Sequence, residues 1–222
     1  VSRPMRRIEI AAIGVLFGAV PIIAGFLAGW WISIPLVCES WVPLCALAGL
    51  LVGASVDAVF LKTWVRRAYS MRPSVWMAVY LFYSIGMFGF FVGVPVFNVV
   101  LALPAGLFVG GRLAYSGADS TAMKAAARRS AMFTTGVLGV VCAASAFIAL
   151  ASPSTASDLQ GMLGLSFRVT RPMIIGLILS GGLSMLALQW WLTCRAAERT
   201  YRYLTASANP PASGGREILN WH

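Results

Sequence analysis

Gly93-Val94-Pro95-Val96-Phe97-Asn98 interrupts an apolar run that extends from Val75 to Gly111. Unbroken, that run of about 37 residues would overshoot a single bilayer crossing, which needs about 20. Proline has no N–H to donate and restricts the residue before it. The stretch therefore predicts a tight hairpin between two spans rather than one long kinked helix. Working outward, Ile8 to Trp31, Val42 to Leu61 and Val75 to Phe91 precede the hairpin, and Val96 to Gly111, Ala131 to Ala151 and Pro172 to Thr193 follow it. The expected fold class is all-α: a polytopic membrane protein with six transmembrane helices arranged as three hairpins.

Composition points the same way. The 222 residues are 59% apolar and 11% charged, with a mean hydropathy of +0.81. A soluble domain carries roughly 25% charge, so this chain lacks the polar surface that water requires. Six crossings consume roughly 120 residues and leave no room for a second, soluble domain. Residues 1–204 are read as a single transmembrane domain and 205–222 as a disordered tail, the stretch Thr205 to Gly215 being rich in Ala, Ser, Pro and Gly. Val1 in place of Met is compatible with a prokaryotic start codon or a trimmed chain.

Charge decides the number of crossings independently of hydropathy. With six spans, fifteen of the 17 lysines and arginines share one side, the exceptions being Arg168 and Arg171. Five spans would split them. By the positive-inside rule both termini are expected to be cytoplasmic, in the cell membrane. The net charge of +10 is read as this flanking charge, so no nucleic-acid partner is expected. Trp64, Trp76, Trp190 and Trp191 fall at the inner interface and Trp30, Trp31 and Trp41 at the outer, where amphipathic rings prefer to lie. Weak repetition accompanies this pattern: Ala48 to Gly53 is echoed by Ala105 to Gly110. In the outer loop Ser152 to Arg171, Asp158 to Phe167 predicts a short interfacial helix capped by Ser157 or Asp158.

Catalytic chemistry finds little material. His222 is the only histidine, no Gly-x-Ser-x-Gly or P-loop string occurs, and no cysteine pair among Cys38, Cys45, Cys142 and Cys194 has metal-ligand spacing. No enzyme activity, cofactor, metal site or disulfide is expected. Of seven carboxylates only Asp57 lies well inside an apolar block. Such a group costs several kcal/mol in hydrocarbon unless paired, protonated or hydrated. An ion pair with Lys62 or Arg112 is the plain expectation, and a proton- or cation-coupling carboxylate the functional one.

Further candidates lie toward the outer ends. Arg168 and Arg171 depart from the charge bias, and their guanidinium forks suit carboxylate or phosphate; they either bind a ligand or pair with Glu39, Asp158 or lipid headgroups. Asn98 either bonds a neighbouring helix or caps its own, and would stand at the rim of an outward pocket. Gln189 is a second candidate for interhelical bonding. Tyr80, Phe82 and Tyr83, with Trp76 below them, either line a cavity or belong to the core. On the first span Gly14 and Gly18, and Gly25 and Gly29, recur four apart, which favours close packing with a neighbouring helix or a partner subunit.

Six helices, about 200 residues, inward termini and the small-residue stripe at Gly14 and Gly18 resemble, in architecture, the substrate-capture subunits of energy-coupling-factor vitamin transporters. The resemblance implies small-molecule import, a pocket opening outward beneath the loops Ser33 to Ser40 and Ser152 to Arg171, and ATPase and coupling subunits as partners. An oligomeric channel or proton-coupled carrier using Asp57 is the second expectation. A membrane assembly or scaffold protein whose basic face meets membrane lipid is the third.

Overall fold

In hydrocarbon every backbone N–H and C=O must be satisfied within its own segment, so long apolar stretches fold as helices. The structure, a computed structural model, describes residues 7–91, 93–164 and 166–206. It is all-helical, with no strand among the described residues. The helices are α1 (Arg7–Ser33), α2 (Val42–Arg67), α3 (Pro73–Phe90), α4 (Ala102–Ser116), α5 (Ser120–Ala151), α6 (Thr155–Leu163) and α7 (Arg171–Ala206). All but α6 belong to the six segments long and apolar enough to cross a membrane. The chain groups into two compact units, Val1–Phe82 and Tyr83–His222.

In the first unit α1 and α2 pack closely. Gly25 and Gly29 lie against Gly49 and Cys45, and Gly53 lies against Pro21. A Cβ on any of these glycines would overlap backbone atoms of the opposite helix, so only hydrogen at these positions lets the two backbones approach. Trp76, expected at an interface, is 6% exposed and packs edge-on to the buried Tyr80 with ring centroids 6.1 Å apart. These two aromatics are core residues.

The second unit contains the Pro95 hairpin. Gly93 adopts φ 79°, a left-handed conformation that glycine enters without steric cost, and its N–H donates to the Phe88 carbonyl at 2.8 Å. The chain does not re-enter an α-helix directly. Pro95–Leu101 forms a 3-10 segment, and α4 begins only at Ala102. The start expected at Val96 is therefore six residues early for an α-helix. Gly106 and Gly110 of α4 lie against Thr193, Ala196 and Ala197 of α7, the same device as in the first unit. The echoed segments Ala48 to Gly53 and Ala105 to Gly110 thus place their glycines in equivalent roles, each pair seating one partner helix.

Two helices outrun their apolar spans. α5 begins at Ser120, where Asp119 accepts a hydrogen bond from the Ala122 N–H at 2.8 Å. Gly117, at φ 68°, ends α4 just before it. α7 runs 36 residues to Ala206, so Thr205 and Ala206, assigned to the tail from sequence, are helical. Residues 207–222 lie outside the described residues. The short loop helix is α6, beginning at Thr155 after Ser154 and ending at Gly164 with φ 59°. It starts three residues before the expected Asp158, because Ser154 takes the N-terminal position and its hydroxyl donates to Asp158 at 2.8 Å.

Candidate functional site

Below the glycine contact the α1–α2 pair presents the carboxylate of Asp57. Gly18 of α1 faces Asp57 and Leu61 of α2: a Cβ on Gly18 would lie 3.3 Å from Asp57 Oδ2 and 3.2 Å from Leu61 Cδ1. Gly18 supplies the space that the carboxylate occupies. Asp57 is 7% exposed, and its Oδ1 is buried with no hydrogen-bond partner among the described residues. A further turn along, Gly14 faces Val65, and a groove of about 450 Å³ opens between Ile10, Gly14, Leu61, Lys62, Val65 and Arg66. Lys62 and Arg66, which line this groove, are exposed.

The pairing expected of Asp57 with Lys62 is not made. Among the described residues the ion pairs are those of Glu198 with Arg195 and Arg202. The two side chains lie five positions apart on one helix, whereas neighbours on a helix face are three or four apart. Arg112, the other expected partner, lies in the second unit near the end of α4, half-buried. An ionised carboxylate at membrane depth is costly unless a proton, a cation or a hydrogen bond compensates it. The site can therefore accept a proton or a small cation.

The remaining candidates are placed as follows. Asn98 is not at a rim and does not cap a helix: it is 1% exposed within the 3-10 segment. Its Nδ2 donates to the Ser84 carbonyl and to Ser84 Oγ, at 2.9 and 2.8 Å. Gln189 is fully buried on α7. Glu39 is exposed and opens a 3-10 turn, Glu39–Trp41, before α2. Arg168 and Arg171 are exposed before and at the start of α7, and neither forms an ion pair among the described residues. Asp158 bonds Ser154 instead. The glycines of the first span all face α2: Gly14 and Gly18 meet side chains, Gly25 and Gly29 meet backbone. Of the two expected roles for this stripe, packing on a neighbouring helix is the one these contacts show, with the groove open beside Gly14.

Sequence reasoning missed a polar contact between α5 and α7. Thr134 Oγ1 and Thr193 Oγ1 lie 3.2 Å apart, both fully buried. A threonine in each apolar run, Thr134 and Thr193, was the available signal, and hydroxyl bonds of this kind join helices in membranes.

These features define an all-helical chain with six helices fit to cross a membrane and a buried carboxylate on one of them. No protein-family profile matches the chain, and comparison with curated proteins and with solved structures gives no match.

Proposed function

We propose that this chain is a multi-pass cell-membrane protein with both termini on the cytoplasmic side, and that it moves a small solute across the membrane with Asp57 carrying the coupled proton. One observation carries the reading: Asp57, 7% exposed, stands on a helix apolar enough to span a membrane, with one carboxylate oxygen lacking a hydrogen-bond partner among the described residues. Intramembrane ionisable residues that lack a structural partner mark ion and proton pathways.

A carrier or channel is preferred to an importer subunit because the buried carboxylate on α2 gives it a group to act with. A homo-oligomer and the membrane lipid are the partners this reading needs. Uptake from a labelled metabolite mixture into proteoliposomes with an imposed pH gradient tests it. At least one solute is expected to accumulate with the gradient, and Asp57→Asn to abolish that accumulation. Uptake that ignores the gradient, or that survives the substitution, would overturn the reading.

A further inference from the structure

We infer that the groove beside Gly14 is a binding site for a small organic anion, an apolar body carrying one carboxylate that bridges Lys62 and Arg66. Its place in solute movement rests on the transport reading above; the binding itself does not.

The groove exists because the α1–α2 seam opens toward the start of α1. At Gly25 and Gly29 an added Cβ would overlap the backbone of α2, and at Gly18 it would meet the tips of Leu61 and Asp57 at 3.2 and 3.3 Å. At Gly14 its nearest neighbour is Val65 Cγ2, at 3.9 Å. That is ordinary side-chain contact. Glycine at this position leaves unfilled what a side chain would occupy, and a groove of about 450 Å³ opens there. Clefts of about 300 to 1,000 Å³ hold small molecules.

The lining is partly hydrocarbon and partly charge. Ile10, Leu61 and Val65 supply the first, and Lys62 and Arg66 line the same groove. These two cations stand four apart on α2, which makes them neighbours on one helix face, and like charges so placed repel. Both are exposed, and neither forms an ion pair among the described residues. A carboxylate between them removes the repulsion. The ammonium acts as a point charge and the guanidinium as a bidentate fork, a combination that favours an anion over a neutral or cationic ligand. An inorganic anion would leave the apolar lining in water, so the occupant carries hydrocarbon beside its charge.

Leu61 is shared, lining the groove and meeting Gly18 beside Asp57. The anion site and the carboxylate are therefore contiguous along the seam. On α1 the charged neighbour of Ile10 is Glu9, whose side chain lies outside the described residues.

Equilibrium dialysis of labelled naphthoate against the full chain in phosphatidylcholine nanodiscs, corrected with empty nanodiscs, tests the site. The wild type is expected to bind it saturably and about tenfold or more tighter than uncharged naphthamide, since hydrogen bonds to charged groups are worth that much. K62Q/R66Q should lose about tenfold or more, and K62R/R66K should keep most of the affinity. R67Q/R72Q removes the same charge from exposed residues that do not line the groove, and should match the wild type. Gly14→Leu should weaken binding by filling the groove, and Asp57→Asn should bind no less tightly than the wild type.

Absence of saturable binding would overturn the inference. So would equal losses in the two glutamine pairs, which make the effect diffuse charge, or full affinity in Gly14→Leu, which places the ligand elsewhere. Weaker binding in Asp57→Asn would make the carboxylate the ligand's anchor and overturn it. Tightening of about tenfold or more in E9Q would make Glu9 the occupant, and displacement of naphthoate by phosphatidylglycerol in place of phosphatidylcholine would make a lipid headgroup the occupant; either overturns it. Saturable naphthoate binding by a chain that accumulates no solute fails the transport reading alone. Gradient-driven uptake without naphthoate binding fails this inference alone.

Discussion

Asn98 Nδ2 bridges the carbonyl and the hydroxyl of Ser84, closing the Pro95 hairpin from inside. Both residues are 1% exposed. The bond ties the 3-10 segment to α3 where proline has removed a backbone donor.

Replacing Asn98 with leucine removes the buried donor shared by the Ser84 carbonyl and hydroxyl. A cost of about 1 to 2 kcal/mol is expected, since an unmade buried hydrogen bond costs about that much and interhelical bonds in membranes are worth about 0.6 kcal/mol each on average. Ser84→Ala removes only one acceptor and should cost less than half as much. Reversible unfolding in mixed micelles measures both, and equal costs would show that the hydroxyl, not the carbonyl, dominates.

Gly49 and Gly106 hold equivalent places in the two units. Valine at either position puts a side chain into the opposite backbone, and about 2 kcal/mol or more of destabilisation is expected from each. Gly86→Ala, at a position with open space beside it, serves as the control. There a small gain from improved helix propensity is expected. Thermal unfolding of the three variants in one detergent orders them.

Asp57→Asn should raise the unfolding temperature while removing proton-coupled uptake. The substitution keeps the shape of the side chain but removes the charge that burial penalises. About 1 kcal/mol of stabilisation is expected, in line with the trade-off seen where function retains an unfavourable group. A lowered unfolding temperature would mean that Asp57 has a partner in the assembled protein and is structural.

Asp119 is held below its ordinary value of 3.8 by the Thr121 hydroxyl and the Ala122 N–H. A depressed value in the folded state means that the cap contributes stability above the unfolded value and loses it as pH falls through the folded one. Between pH 5 and pH 2, the hydrogen-exchange protection factors of Thr121, Ala122 and Met123, taken relative to the intrinsic rate at each pH, should therefore fall more in the wild type than in Asp119→Asn, whose cap does not titrate. Equal falls in both would rule out the cap as the cause.

The sequence by itself determined the all-helical class and the six apolar helices, because burial in hydrocarbon is decided by local composition along the chain. It also singled out Asp57, whose cost at depth can be read without knowing its neighbours. Glycines four apart announced close packing, but Gly25, Gly29 and Gly106 could not name their partners, since backbone approach depends on which helix faces them. Asn98 offered two roles, capping and interhelical bonding, and only the return of the chain onto Ser84 chose between them. The ends of α5 and α7 were set the same way: the polar residues beyond Ala131 and Thr193 carry no hydropathy signal, and they stay helical because Met123, Ala127 and Ala197 bury one another. Tertiary structure decided every feature that needs two segments at once, because a contact's energy belongs to the pair and is not written in either sequence alone.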